Sequence, residues 1–192
     1  SLFCISCLYA LSSATVIHAG LLINGDSSVP SPEMSIVIEG SKIKAIQTGF
    51  ITPDLEDEFI DLSGYTVLPG LIDMHVHLGS EYSKNSYQER ITLNAGDYAI
   101  RAVANAQKTL MAGFTTVRNL GGSDGVTISL RNAITKGIVT GPRIFSSGTT
   151  IASSGGHGDS TNSLNKSLTS DPGASKGIIN NLDDASKAVR YR

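Results

Sequence analysis

The stretch that decides the fold lies in the first half of the 192-residue chain and reads Pro69-Gly70-Leu71-Ile72-Asp73-Met74-His75-Val76-His77-Leu78. The Pro-Gly pair marks a turn, and the mostly apolar residues after it have the length of one strand. Residues two apart in a strand point to the same face, so His75 and His77 present two imidazole rings side by side. The stretch therefore predicts a strand with a histidine pair near its C-terminal end.

The residues that follow this strand alternate between helical and strand-like patterns. Strands are expected at 71–78, 114–120 and 142–147, and helices at 87–111, at 124–136 and from 183 onward. Repeated β/α units require a parallel sheet. Residues 69–192 therefore predict the first three β/α units of a TIM-like (β/α)8 barrel. Because a whole barrel takes eight units and about 250 residues, we expect a truncated barrel.

Residues 15–68 have a different pattern, with short β-like pieces separated by Gly, Ser and Pro. These pieces are expected at 15–24, 34–39 and 42–47, followed by a pair at 58–62 and 65–68 around Ser63-Gly64. Strands of this length separated by turn residues are typical of a small β-sandwich or open β-roll. The predicted fold class is thus α/β, with a small N-terminal β-sandwich before the partial barrel.

The first 14 residues carry no charge and contain an apolar run at 2–11 that is too short to span a bilayer. Small residues at 12–14 (SSA) give a cleavage site after Ala14, so we expect a signal-peptide remnant and a secreted or periplasmic protein without a stable membrane span. Cys4 and Cys7 lie inside the run and are expected to be packing residues of this segment. A buried first helix or strand is the alternative.

The composition excludes some functions. Hydrophobic residues make up 40% of the chain and charged residues 17%, which is typical of a globular protein. A formal net charge of −2 creates no strong field of either sign. We therefore expect no binding to nucleic acid and no electrostatic attachment to a membrane.

The His75/His77 pair has the spacing of two ligands of one metal ion. Neutral imidazole nitrogens bind zinc at about 2.0–2.1 Å. The pair also follows a β/α strand, at the end of the barrel where active sites are built. An H-x-H pattern alone is weak, and two partly buried histidines are its more frequent meaning.

The flanks of the pair resemble the amidohydrolase superfamily, whose members carry P-G-[LF]-I-D-x-H-x-H after a β-sandwich. The resemblance continues through residues 112–118 (AGFTTVR). At 141–144 (GPRI) and 155–159 (GGHGD) the sequence is similar to the branch that contains imidazolonepropionase-like proteins and Xaa-Pro dipeptidases. The resemblance covers the chain from about Thr15 to Arg192.

This resemblance implies a distorted barrel with one or two divalent metals, zinc first, bound in part by His75 and His77. A carboxylated lysine, two histidines and a catalytic aspartate would lie beyond Arg192, so no catalytic residue is expected within these 192 residues. The implied reaction is hydrolysis of an amide C–N bond by a metal-activated hydroxide. The substrate would be a dipeptide such as Xaa-Pro. A cyclic amide is the alternative, and so is a chain that is a non-catalytic fragment. A homo-oligomer is left open.

Other residues carry weaker signals. Asp73 is expected to support the site or the strand end rather than to bind metal. His157, on a glycine-rich loop after the third barrel strand, is expected to face the substrate, with a surface position as the alternative. His18 is expected to be structural. Asn119 stands where the family pattern leads us to expect Asp after Arg118, and for that reason no role is expected for the Arg118/Asn119 pair. Residues 160–175 are expected to form a long mobile loop.

Overall fold

The structure is a computed structural model that describes residues 13–122, 125–162 and 164–192. The chain divides into two compact units, Ser1–Pro69 and Gly70–Arg192. The predicted signal segment at 1–14 lies outside the described residues except for its last two positions. Among the helices in the described part of the chain, none has both the length and the apolar character needed to cross a bilayer.

The first unit contains four strands in one mixed sheet. They are β1 (Thr15–Leu22), β2 (Ser31–Glu39), β3 (Lys42–Thr48) and β4 (Glu58–Val67), in the order β3-β2-β1-β4. Strands β1 and β2 pair antiparallel, as do β2 and β3, whereas β1 and β4 pair parallel. Within the described residues of this unit, no second sheet faces this one.

Strand β4 corrects the expectation of two paired strands at 58–62 and 65–68. Both halves pair with β1, as Ala19 opposite Leu62 and Leu21 opposite Thr66, with a register shift between them. The Ser63-Gly64 dipeptide is therefore an irregularity within one strand, and not a hairpin turn. A β-bulge of this kind inserts extra residues without reversing the chain.

The hydrophobic core of the first unit is small. Ala19, Leu22 and Ile36 are buried at its centre. His18 lies in the same unit, with its ring stacked on Phe50 at 4.6 Å between ring centroids and its Nε2 2.8 Å from the carbonyl oxygen of Ile51. A ring packed and hydrogen-bonded in this way contributes to structure.

The second unit contains three β/α units, as the sequence predicts. Its elements are β5 (Leu71–Val76), α1 (Ser86–Thr92), α2 (Ala95–Met111), β6 (Phe114–Asn119), α3 (Val126–Thr135), β7 (Arg143–Ser146) and α4 (Leu182–Arg190), with two short 3-10 turns before α4. The three strands form a parallel sheet in the order β5-β6-β7. The fold class is therefore the expected α/β one, with the first three units of a TIM-like barrel. The first unit differs from the expected β-sandwich, because its described strands form a single mixed sheet.

The prediction of a single helix at 87–111 is wrong, because the structure has two helices there. Leu93 has an extended backbone (φ −90°, ψ 141°) and ends α1. Asn94 is the N-cap of α2, and its backbone N–H donates to the carboxylate of Asp97 at 2.9 Å. An N-cap Asn with an acidic residue three positions later starts a new helix even where apolar spacing continues.

The core of the second unit lies between its sheet and the helices α2 and α3. Ala102 and Ala106, one turn apart on α2, are completely buried and let the helix approach the sheet closely. The other buried residues of this cluster are Leu78, Val117, Val126, Leu130 and Ile144. This packing fixes the strands, so that the loops at their C-terminal ends share one edge of the sheet.

Candidate metal and substrate site

The rings of His75 and His77 converge at the C-terminal end of β5. Their Nε2 atoms lie 3.3 Å apart, and the ring planes are inclined by 67° with centroids 5.2 Å apart. Both side chains are exposed. The strand pleat places residues two apart on one face, so the spacing read from the sequence brings the two rings together.

The donor pair fits a divalent metal ion. Two nitrogens that are each about 2.0–2.1 Å from a tetrahedral ion stand about 3.3–3.4 Å from each other. The separation of the two Nε2 atoms, 3.3 Å, has this value. The two imidazoles can therefore supply two corners of one tetrahedral coordination sphere without rearrangement.

The second nitrogen of His77 faces a backbone carbonyl. His77 Nδ1 lies 3.4 Å from the oxygen of Gly121, in the loop after β6. The same oxygen accepts a hydrogen bond from Asn119 Nδ2 at 2.6 Å, and Asn119 Oδ1 accepts one from the Leu78 backbone N–H at 2.8 Å. Asn119, which the sequence led us to discount, thus connects β6 to the end of the histidine strand.

Asp73 contacts the backbone beside the pair. Its Oδ1 accepts a hydrogen bond from the His75 N–H at 2.9 Å. The Arg118 guanidinium donates its Nε–H to the Met74 carbonyl at 3.0 Å from the neighbouring strand. These contacts hold the backbone of the strand that carries the two histidines.

An open cleft of about 940 Å³ lies over this edge of the sheet. Its walls come from the ends of β5 and β6 and from the long segment between β7 and α4. His77 and His157 both line it, together with Arg90, Thr150, Asp159 and Lys176. His157 itself is exposed. The structure therefore brings His157 and one member of the histidine pair to the same cleft.

The loop that carries His157 is organised by Asp159. The Asp159 carboxylate accepts hydrogen bonds from the Gly155 N–H at 2.8 Å, the Thr161 N–H at 2.8 Å and the Thr161 hydroxyl at 2.7 Å. Hydrogen bonds to the charged form favour it, so these donors, with Gly155 first, hold the pKa of Asp159 below its ordinary value of 3.8. The side chain is only 7% exposed.

Arg90 fastens this loop to the helix that follows β5. Its guanidinium donates to the backbone carbonyl of Ser160, a residue 70 positions further along the chain. Next to Arg90 on α1, Glu89 forms an ion pair with Arg101 of α2 at 2.7 Å. Neither arginine stands in a recognisable motif, so the sequence alone does not identify them.

Among the described residues, no further metal ligand joins the histidine pair. No group of three or more His, Cys, Asp or Glu side chains in the ranges 13–122, 125–162 and 164–192 is arranged to hold a metal ion. The resemblance placed the other ligands beyond Arg192. The part of the chain described thus contributes two nitrogen donors.

Three parallel β/α units with paired imidazoles at the end of the first strand define a β/α-barrel protein with its site on the C-terminal edge of the sheet. The chain belongs to the amidohydrolase family, which residues 66–189 match. Divalent metals are general in this family.

Known proteins similar to this chain include hydrolases of different substrates. A crystal structure of a Xaa-Pro dipeptidase with bound methionine in the active site is 45% identical, with a TM-score of 0.87 over 93% of this chain and 44% of that chain. Ochratoxinase of Aspergillus niger is 28% identical over 154 residues, which are 77% of this chain and 31% of that protein. Dihydroorotase of Lactobacillus johnsonii is 36% identical over 108 residues, 56% of this chain and 19% of that protein. The chain thus spans less than half of each.

Proposed function

We propose that the protein to which this chain belongs hydrolyses an amide C–N bond with a divalent metal held in part by His75 and His77, and that its substrate is a dipeptide with C-terminal proline. The observation that carries the proposal is the 3.3 Å separation of the two Nε2 atoms at the C-terminal end of β5. Zinc is the metal we expect first, since two imidazoles are ligands that it accepts readily.

The residues of this chain have separate tasks in such a reaction. When bound, a divalent metal acidifies water and polarises the carbonyl to be attacked. His75 and His77 hold that metal through Nε2, and Asp73 braces the backbone of His75. His157 faces the substrate from the glycine-rich loop on the other wall of the cleft. Hydrolysis breaks the C–N bond, leaves a carboxylate on one product and an amine on the other, and consumes one water.

The dipeptide is favoured as substrate by the 45% identity to the Xaa-Pro dipeptidase, which extends over 93% of this chain. The 36% identity to dihydroorotase supports a cyclic amide as the alternative, over a shorter stretch of 108 residues. Both substrates contain the same bond type. The metal-binding part of the proposal is therefore independent of the choice between them.

The first experiment tests metal dependence in the protein expressed from its complete coding sequence. The protein is stripped with a chelator, reloaded with zinc, manganese or cobalt, and assayed with Xaa-Pro dipeptides. We expect hydrolysis to disappear on stripping and to return with metal. The double variant His75→Ala, His77→Ala should lose both activity and high-affinity metal binding. Full activity of the double variant would sink the proposal.

The substrate is tested with a matched set of compounds. An Xaa-Pro dipeptide, the corresponding Xaa-Ala dipeptide and a six-membered cyclic amide are compared by kcat/KM with the metal-loaded protein. The proposal predicts the highest value for the Xaa-Pro dipeptide. Cleavage of the cyclic amide alone would replace the dipeptide with the alternative.

A further inference from the structure

We propose that Asn119 is a positioning residue that orients the His77 ring through the Gly121 carbonyl. Its amide group aims that carbonyl at His77 Nδ1, so that the other ring nitrogen, Nε2, presents its lone pair next to Nε2 of His75. The inference rests on the proposed function in one respect: it takes the convergent Nε2 atoms as metal ligands.

The first step is the environment of Asn119. Its side chain is completely buried at the end of β6. Both ends of its amide are used: Oδ1 accepts from Leu78 N–H at 2.8 Å, and Nδ2 donates to Gly121 O at 2.6 Å. A buried amide with both ends satisfied has one orientation, because turning it over would place a donor against a donor and an acceptor against an acceptor.

The second step follows from the chemistry of the carbonyl. A carbonyl oxygen accepts hydrogen bonds and never donates them, and it has two lone pairs. Asn119 Nδ2 takes one of them, and His77 Nδ1, at 3.4 Å, is directed at the same oxygen. A hydrogen bond between these two atoms therefore requires the proton of His77 to be on Nδ1. A neutral imidazole protonated there has its lone pair on Nε2, the nitrogen that faces His75.

The third step is the rigidity of Gly121. A Cβ atom at this position would stand 2.0 Å from the hydroxyl of Thr150, so any larger residue would force Thr150 to move. Leu120 N–H donates to Val76 O at 3.2 Å, and Ser147 N–H donates to Asn119 O at 3.0 Å. The carbonyl thus belongs to a backbone that is tied to β5 on one side and to β7 on the other.

Asparagine and aspartate differ at position 119 in whether they can donate a hydrogen bond to Gly121. An ionised aspartate, which the resemblance led us to expect here, has no N–H to give to Gly121 O. Asparagine supplies both the acceptor for Leu78 and the donor for Gly121. The departure from the expected pattern therefore has a function of its own in this chain.

Asn105 offers a matched control. Its Nδ2 donates to the carbonyl of Leu78 at 2.9 Å, on the same residue whose N–H is bound by Asn119. Asn105 thus supports the same strand end without contacting Gly121. The variants Asn119→Leu and Asn105→Leu remove an amide of equal size from either side of Leu78, and only the first removes the donor to the Gly121 carbonyl.

The first measurement uses the metal-free whole protein with ring-15N-labelled histidine, at a pH where the rings are neutral. We expect His77 to be the Nδ1–H tautomer in the wild type. His18 is the internal reference for the opposite tautomer, because its Nε2 faces the Ile51 carbonyl at 2.8 Å. In Asn119→Leu, His77 should shift toward the Nε2–H form while His18 stays unchanged. An unchanged His77 tautomer in Asn119→Leu would overturn the inference.

The second measurement is zinc affinity by competition with a chromophoric chelator. Loss of groups that orient a metal-bound histidine weakens binding by about 10- to 100-fold, and we expect about tenfold for Asn119→Leu and no change for Asn105→Leu. Equal losses in both variants would mean a general loosening of the strand end and would contradict the role. If Asn119→Leu does not fold, Asn119→Ser, whose hydroxyl is too short to reach Gly121, replaces it.

The two measurements separate this inference from the proposed function. A wild type that fails to bind zinc contradicts the proposed function, while the tautomer of His77 still decides the role of Asn119. A wild type that binds zinc, with neither readout altered in the Asn119 variants, contradicts the positioning role alone.

Discussion

Asp159 is the side chain on which the shape of the glycine-rich loop depends. Three donors from Gly155 and Thr161 converge on its carboxylate. In Asp159→Asn an amide nitrogen must face at least one of these donors, so we expect a lower melting temperature at neutral pH. Asp171→Asn is the control, since Asp171 is an exposed carboxylate of the same segment that accepts one backbone bond, from Gly173 at 3.0 Å.

The pH dependence of this difference has a defined sign. The pKa of Asp159 in the folded protein is below its ordinary value of 3.8. Its stabilisation is therefore complete above that value and is lost as the pH falls through the lower, folded-state pKa. The melting-temperature difference between wild type and Asp159→Asn should be largest near neutral pH and shrink below about pH 3.8. A difference that grows on acidification would contradict this account.

His157 can be separated experimentally from the histidine pair. Both His157 and His77 line the cleft, but only His77 has its Nε2 near that of His75. We expect His157→Ala to keep the zinc affinity of the wild type and to lower kcat/KM by about tenfold, since the loss of one hydrogen bond costs about 1.5 kcal/mol. Chelator competition and steady-state kinetics measure the two quantities. A loss of zinc affinity equal to that of His77→Ala would place His157 among the metal ligands instead.

The site residues differ in how far the sequence could reveal them. The sequence reveals the histidine pair because His75 and His77 are two positions apart, and the strand pleat alone brings their rings together. Asn119 and Arg90 act through backbone atoms that folding brings within reach. Asn119 contacts Leu78 across 41 positions, and Arg90 contacts Ser160 across 70. Periodicity and motif spacing contain no information on such contacts.

An ion pair joins α2 to α1, the helix whose Arg90 lines the cleft. Arg101 Nη1 lies 2.7 Å from Glu89 Oε2, and the Tyr98 hydroxyl donates to the Glu89 carbonyl at 3.3 Å. The Arg101 guanidinium holds the pKa of Glu89 below its ordinary value of 4.5. The ion pair is therefore complete above that value and is lost as the pH falls through the lowered pKa.

Removing this ion pair should loosen α1 and the loop attached to it. We expect Glu89→Gln to speed hydrogen exchange in Ser86–Thr92 and in residues 155–161, because Arg90 links the two segments. Glu81→Gln is the control, since its pairing with Lys108 is long, at 3.9 Å, and exposed. Faster exchange in α1 with an unchanged loop would show that Arg90 does not transmit the change.

The parallel contact between β1 and β4 depends on one glycine. A Cβ atom on Gly20 would lie 2.1 Å from the carbonyl oxygen of Ser63, a backbone atom that cannot move aside alone. We expect Gly20→Ala to destabilise the first unit by about 3 kcal/mol, the upper end for overpacking. Gly64→Ala, with nothing within 4 Å of its added methyl group, should change stability by less than about 1 kcal/mol. Denaturant unfolding of both variants checks this, and equal losses would contradict it.

The elements show where sequence patterns succeed and fail. The strands β1, β5, β6 and β7 and the helix α3 lie where apolar patterning predicted them. The errors occur where two patterns compete. Apolar residues keep a helical spacing through Leu93, yet the Asn94 cap divides the helix, and Ser63-Gly64 has turn chemistry inside a strand that continues.

The sheet of the second unit has one face packed by helices and one face that is apolar and open. Ile72, Met74 and Phe145 are 61%, 55% and 60% exposed. Exposed apolar residues close together are an association surface, and the outer strands β5 and β7 leave unpaired backbone groups among the described residues.

We therefore expect residues 13–192, expressed by themselves, to self-associate and to bind a hydrophobic dye. Light scattering with size-exclusion chromatography measures this. Ile72→Lys with Phe145→Lys should reduce association, because both charges would stand on the open face. A monomeric, cooperatively melting product of residues 13–192 would count against the prediction.

The contact between His77 and Gly121 spans 44 positions of the chain. During synthesis from the N-terminus at about 5–20 residues per second, the carbonyl leaves the ribosome about 2–9 seconds after the histidine does. For that interval the imidazole is free to carry its proton on either nitrogen. If metal binding depends on this contact, a nascent chain cannot reach its full affinity for metal before the Gly121 carbonyl has been made, which sets an earliest point for metal loading in the biogenesis of the protein.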